Sequence, residues 1–167
     1  MIEDISPPPI EPVSLAEAKL FLRVDHDADN DLIALLIRSA RERLEAYLGL
    51  AMIARPMAFT SKAKRLLRIS RYPVISVDHV EADGAPAGDY HANLKARPSL
   101  LCVDARDEVR VEFTAGYGTD PDDVPAPLRQ AMLLLVARGY EMRGEAVDGA
   151  IPLMVDALTL PYKAVGL

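Results

Sequence analysis

Apolar positions along this chain keep two rhythms, one near 3.6 residues and one of two. In "SLAEAKLFLRV", Leu15, Ala18 and Leu22 lie on one face. Ser14 with Glu17 three residues later forms a capping box, so a short helix is predicted over 14–23. A second helix is predicted over 29–48, where Ile33, Leu36, Ile37, Ala40, Leu44, Tyr47 and Leu48 share one stripe and Gly49 is the expected stop. Leu32 and Leu35 stand off that stripe; they either widen the core face or pack on another subunit. A third helix is predicted over 126–143, introduced by Pro125 and Pro127. It carries Leu128, Ala131, Met132, Leu135 and Met142 on one side and Leu133 with Leu134 on another. A helix apolar on more than one face is central or shared between subunits.

From about 57 to 115 the rhythm changes to alternation. "LLRIS", "VISVDHVEA", "LLCVD" and "VRVEFTA" are short, separated by the turns "DGAPAGD" and "KARPS". They predict a small antiparallel sheet or a pair of hairpins. The fold class that follows is α+β and mainly α-helical, a helical bundle with this β insert. Residues 1–13 read as an extended arm, because Pro7, Pro8, Pro9 and Pro12 exclude a helix. A single domain spans 14–143. Residues 144–167 form a hinge, with Gly144 and Gly149, and a C-terminal segment with a short helix over 152–159 broken by Pro161. That segment holds Leu153, Met154, Val155, Leu158, Leu160 and Tyr162 and ends on Val165 and Leu167, more apolar surface than a loose tail should expose.

Charge narrows the function classes. The formal net charge is −6, which argues against wide wrapping of nucleic acid. One basic strip departs from this balance: Lys62, Lys64, Arg65, Arg68 and Arg71 in "KAKRLLRISR". It touches phosphate or an acidic protein surface, or it is a solvated edge that discourages strand aggregation. The single cysteine, Cys102, excludes an internal disulfide, fits a reducing compartment and reads as a small core residue. "MIEDISPPPIEP" reads as neither a signal nor a transit peptide, and the apolar run at 131–137 is too short to span a bilayer.

Candidate chemistry is sparse. "VDHDADNDL" places Asp25, Asp27, Asp29 and Asp31 at alternate positions, as in a calcium loop. Counted from Asp25, the sixth position is Asn30 and the twelfth is Leu36, which cannot ligate; counted from Asp27, they are Leu32 and Arg38. The stretch reads instead as a helix start, where carboxylates meet free N–H groups and the positive end of the dipole. His26, His79 and His91 lack metal-type spacing, and Ser76 and Ser99 lack an elbow motif. "AGYGTDPDDVPAPL" has no Lys-Ser/Thr and is no phosphate loop. No catalytic, metal or cofactor site is expected, and the residues by themselves point to an assembly component.

Four segments in order carry a resemblance. "EPVSLAEAKLFLRVDHDADNDLIALLIRSARERLEAYLG" resembles the opening of the tailed-phage head–tail connector (adaptor) proteins of the gp6-like and gp8-like families, which include gene transfer agent adaptors. "RYPVISVDHVEADG" resembles their central sheet, "FTAGYGTDPDDVPAPLRQAMLLLVARGYEMRGE" their closing strand, loop and helix, and "IPLMVDALTLPYK" their end. The resemblance implies a structural, non-enzymatic subunit in a ring of about twelve copies, whose interfaces are heterologous. The ring would lie in the particle neck between the portal protein and a tail-side stopper or terminator. DNA would pass through it without sequence-specific binding, no membrane would be involved, and assembly would take place in the bacterial cytoplasm. Ring contacts would fall to Leu32, Leu35, Leu133 and Leu134, and portal docking to Leu153, Met154, Leu158, Leu160 and Tyr162.

Two rival readings stay open at this stage. One is a tail-completion or terminator protein of the same particle. The other is a helix-turn-helix-like DNA-binding regulator, although the acidic turn would meet phosphates with carboxylates. For the acidic turn itself the expectation is independence of metal. Calorimetric titration with calcium should give no heat beyond dilution, and chelator should leave the melting temperature unchanged; a micromolar affinity would contradict it.

Overall fold

The computed structural model describes residues 2–142 and 150–163. The expected hinge glycines Gly144 and Gly149, and the terminal Val165 and Leu167, lie outside the described residues. The described residues divide into two compact units: residues 2–9 and 49–119 form one, and residues 10–48, 120–142 and 150–163 the other.

The first unit is built of strands: β1 (Ile2–Asp4), β2 (Arg55–Lys62), β3 (Leu67–Ile69), β4 (Val74–Ala82), β5 (Ala85–Pro86), β6 (Tyr90–Asn93), β7 (Ser99–Val103) and β8 (Glu108–Ala115). They make a five-stranded sheet in the order β1-β2-β8-β4-β5 and a three-stranded sheet in the order β3-β7-β6. Every pairing between these strands is antiparallel. Period-two burial is clearest on β8, where Val109, Val111, Phe113 and Ala115 point inward. These residues join Met57, Val74 and Val80 of the larger sheet and Leu67, Ile69, Leu101 and Val103 of the smaller one in a single hydrophobic core.

This core corrects the expected fold class. The described residues are 36% helical and 30% strand, so the fold is α+β with near balance and not mainly helical. The strands are not an appendage on a bundle. Two sheets bury their apolar faces in one core, which is how a β unit becomes stable by itself. Ile2–Asp4 add a strand to β2, with Ile2 opposite Phe59. Cys102 is corrected too: it is exposed, on the outward face of β7, while its neighbours Leu101 and Val103 are buried.

Local chemistry sets the turns of this unit. Asp83 and Gly84 both have positive φ, 55° and 80°, in the two-residue loop between β4 and β5. That is the demand of a type I′ hairpin turn. The Asp83 carboxylate then accepts from the backbone N–H groups of Arg106, Asp107 and Glu108 at 2.9, 2.8 and 3.2 Å. Those three bonds hold its carboxyl below the usual carboxylate range. Register shifts in β4 between Val74 and Ser76, and between Val77 and His79, mark bulges. At the second of them Asp78 accepts from Ser76 Oγ and Thr114 Oγ1 at 2.6 and 2.8 Å.

The second unit is helical: α1 (Leu15–Leu22), α2 (Asn30–Leu48), α3 (Ala126–Glu141) and α4 (Leu153–Thr159). The capping box at Ser14 is formed, with Glu17 N–H donating to Ser14 Oγ at 3.1 Å and Ser14 N–H to Glu17 Oε2 at 2.9 Å. Helix α1 stops at Arg23, which is left-handed at φ 58°. Ile33, Ile37, Ala40, Leu44 and Leu48 make the buried face of α2, and Leu128, Ala131, Met132, Leu135 and Val136 that of α3. Gly139 lets α3 lie close to α2: a Cβ there would stand 2.7 Å from Leu36 Cδ2.

Gly116, just after β8, is the least replaceable glycine among the described residues. Its φ is 146°, and a Cβ would fall 2.3 Å from the backbone nitrogen of Ala54. Backbone cannot swing aside as a side chain can. Gly116→Ala is therefore expected to cost at least ~2 kcal/mol, read as a lower midpoint in urea denaturation; unchanged stability would mean that the two segments can separate freely.

Candidate assembly interface

The helical unit presents both well-anchored polar groups and uncovered apolar ones. Arg41 and Glu45 are one turn apart on the buried face of α2, only 4% and 3% exposed. Arg41 Nε donates to Glu11 Oε2 at 2.8 Å, and Nη1 to Glu45 Oε2 at 3.1 Å. Burial works against the guanidinium charge, but Glu11 and Glu45 outweigh it and raise the Arg41 pKa. The pair pins the segment before α1 against α2. It escaped the sequence reading, although Arg41 and Glu45 share the stripe of Ala40, Leu44 and Leu48 and are spaced for an ion pair.

The acidic turn has structural partners. Asp27 Oδ1 accepts from Lys19 Nζ at 2.7 Å and Asn30 Nδ2 at 3.1 Å, and Lys19 also donates to Asn30 Oδ1 at 3.0 Å. The Lys19 hydrogen bond, followed by that of Asn30, holds the Asp27 carboxyl low. Tyr140 of α3 donates to Asp29. Arg129 of α3 reaches Glu17 of α1 as well as Asp122, the latter at 2.7 Å. The turn thus fastens α1 and α3 to the start of α2. Among the described residues no group of three His, Cys, Asp or Glu could hold a metal ion, and no described helix is long and apolar enough to cross a membrane.

The residues expected at ring contacts divide by exposure. Leu35 is 59% exposed on α2, while Leu32, Leu133 and Leu134 are half-buried. The expected docking segment divides as well. Val155 and Thr159 are buried, and α4 packs on α3. Asp156 accepts from Tyr47 Oη at 2.6 Å and pairs with Lys163 at 2.7 Å, and Lys163 lies over the Tyr47 ring. Lys163, then Tyr47, hold the Asp156 carboxyl low. Leu153, Met154 and Leu160 face outward, while Leu158 and Tyr162 are half-buried. Leu20 and Phe21 of α1 are also exposed, and the sequence reading missed them. Their signal was present, since neither lies on the Leu15, Ala18 and Leu22 face.

The basic strip is not one strand. Lys62 ends β2, Lys64 and Arg65 lie in the following turn, and Arg68 is on β3, all exposed; Arg71 is half-buried. Of the three histidines, His26 stands exposed in the acidic turn between Asp25 and Asp27, His79 Nε2 lies 3.4 Å from Glu81 Oε1, and His91 lies opposite Cys102 between β6 and β7.

Comparison with known proteins defines the class. Residues 12–78, from the approach to α1 into β4, match the model of the phage gp6-like head-tail connector protein family. The chain is similar over its whole length to three solved chains. One is from the neck of an empty GTA particle computed with C6 symmetry, at 23% identity and TM-score 0.85. Another is from the virion of a native gene transfer agent particle, at 24% and 0.83. A third is from the neck of a native GTA particle computed with C12 symmetry, at 25% and 0.79. Each match covers 100% of this chain and 97% of the other. No curated protein matches. The chain resembles the gp6-like head–tail connectors in sequence over residues 12–78, and it has the fold of these particle subunits throughout.

The buried ion pair sets a stability prediction. Arg41→Ala removes the buried guanidinium that Glu11 and Glu45 share and is expected to cost about 3–5 kcal/mol. Glu42, exposed and reached by Arg41 Nη2 at only 3.4 Å, should cost less than about 1 kcal/mol when replaced by Gln. Replacing Arg41 by Met and Glu45 by Leu together should recover much of the loss. Urea denaturation of the three variants checks the order.

Proposed function

We propose that this chain is a structural head–tail connector subunit of a phage or phage-like particle. About twelve copies form a ring between the portal protein and the tail-side stopper or terminator. DNA passes through the ring without sequence-specific recognition, and the subunit performs no chemistry on it. The subunit assembles in the bacterial cytoplasm, works in the particle neck and needs no membrane. The observation that carries this reading is the full-length fold match to GTA neck subunits, with the connector-family match over residues 12–78.

Within that role the outward apolar residues acquire partners. Leu35, with Leu32 beside it, faces another copy, and Leu133 and Leu134 contribute from α3. Leu153, Met154 and Leu160 meet the portal, with Leu158 and Tyr162 at the margin; Val155 and Thr159 hold α4 in its own unit. This division suits a docking helix, because a surface built on a packed element loses less freedom on binding than a loose tail.

Electron microscopy of the neck of the particle containing this chain tests the reading. A ring of this protein between portal and tail is the expected result; its location in the tail tip or the capsid shell would overturn it. Leu35→Glu and Leu153→Asp should both fold with nearly wild-type stability. Leu35→Glu should be absent from particles, and Leu153→Asp should fail to attach to portal. A Leu35→Glu variant that unfolds would return Leu35 to the core.

A further inference from the structure

The β unit carries a surface that its own residues leave unmatched. Lys62, Lys64, Arg65 and Arg68 are exposed, and among the described residues none of the four forms an ion pair. Leu66, in their midst, is 45% exposed. A hollow of 340 Å³ opens beside it, lined by Phe59, Ser61, Lys64, Leu66, Leu67 and Arg68. Strand β3, which carries Arg68, is at the edge of its sheet. Phosphate needs the cations but has no use for the apolar floor. An acidic protein surface with apolar side chains satisfies both.

The helical unit presents that complementary chemistry. Leu20 is 81% exposed in the last turn of α1, with Phe21 beside it at 44%. Asp25 and Asp27 follow in the turn, and Asp31 opens α2, all exposed. Lys19 holds Asp27, whereas Asp25 and Asp31 meet no cation among the described residues. Asp31 and the exposed Leu35 are four residues apart and share a face of α2. Acids set among leucines and a phenylalanine answer cations set around a leucine-lined hollow.

We infer that the basic edge of one copy docks on the acidic α1–α2 corner of the next copy. Lys62, Lys64, Arg65 and Arg68 pair with Asp25, Asp27 and Asp31, and Leu66 meets Leu20 and Phe21. The inference rests on the ring reading above. The two surfaces differ, so the contact is heterologous: each copy offers one surface to each neighbour, and repetition closes a ring. Like charges would face each other in the reversed, two-fold arrangement, so the same residues select head-to-tail association over dimers.

Zero-length carbodiimide coupling, which joins a lysine amine to a touching carboxylate, tests the contact. Full-length ¹⁴N and ¹⁵N chains are mixed at high concentration and the products read by mass spectrometry. Hybrid links from Lys62 or Lys64 to Asp25, Asp27 or Asp31 are expected. K64E/R68E and D25K/D31K should each lose about tenfold of these links when alone. Mixing the two variants should restore them, because each reversed surface then meets its complement. D25K alone, in the turn outside α2, replaces the double variant if D31K weakens the helix start. Failure of the mixture to restore linking overturns the contact. Hybrid links mapping elsewhere, or no hybrid links, overturn it and leave the connector reading to the neck map. Salt-sensitive retention on duplex DNA that K64E/R68E abolishes would give the basic edge to phosphate and overturn it also.

Discussion

The antiparallel ladder between β2 and β8 is the interaction on which the chain's organisation depends. The β unit interrupts the helical one: residues 49–119 stand between residues 10–48 and the later pieces 120–142 and 150–163, which fold together. Such an insertion is compatible with an intact helical unit only if its entry and exit lie side by side. The ladder supplies this, running from Arg55 opposite Ala115 to Lys62 opposite Glu108. Just outside it, Ala54 N–H donates to Gly118 C=O at 2.7 Å and Tyr117 N–H to Met52 C=O at 3.0 Å. The glycine at position 116 is the steric condition for that closeness, because any side chain there meets the backbone of Ala54. The long sequence separation that the ladder closes is entropically costly, and the core beneath β8 is what offsets it.

Polar anchors then complete what apolar packing leaves loose. Leucines specify that helices meet, but tolerate small shifts of one along another. Glu17 and Arg129 join α1 to α3, Lys19 fastens the acidic turn, and Asp156 ties the final helix to Tyr47 of α2. Arg41, between Glu11 and Glu45, is the deepest of these ties. Its net contribution to stability is small beside the penalty for leaving one partner alone, so it acts as a constraint on register more than as a source of free energy.

Legibility in the sequence followed the range of the interactions. The capping box at Ser14 and Glu17 is local, and the spacing of three residues reveals it. The alternation in "VRVEFTA" is local too, and β8 buries every second residue. The balance of helix and strand was misjudged because β1, β5 and β6, of two to four residues, carry little periodic signal, and because β2 buries Met57 and Ala58 side by side, off strict alternation. Cys102 was placed inward by the apolar look of "LLCVD", when alternation with Leu101 and Val103 already turned it outward. Glu11 with Arg41, and Asp83 with the backbone of 106–108, join residues too distant for any window to connect. Exposure of Leu20, Phe21 and Leu35 was legible only in part: none of them lies on its helix's core stripe, but how far each stays uncovered depends on what the rest of the chain packs there.

A fold that leaves these leucines uncovered while burying an arginine and a glutamate has divided its surface by purpose. Stability alone would favour the opposite exchange. Leu153, Met154 and Leu160 stand on a helix whose inner face, Val155 and Thr159, is fully packed, so their exposure is not a by-product of a loose segment. Leu20 and Phe21 likewise follow directly on the buried Ala18 and on Lys19, which is engaged with Asp27. Rigid support under an uncovered apolar side chain lowers the entropy lost when a neighbour covers it. The charges beside them add direction, since acids near one set and cations around Leu66 make the surfaces complementary to each other and repulsive to themselves. In the ring proposed above, each subunit gains its last layer of core from its neighbours, and the acidic and basic surfaces set the direction of the contact.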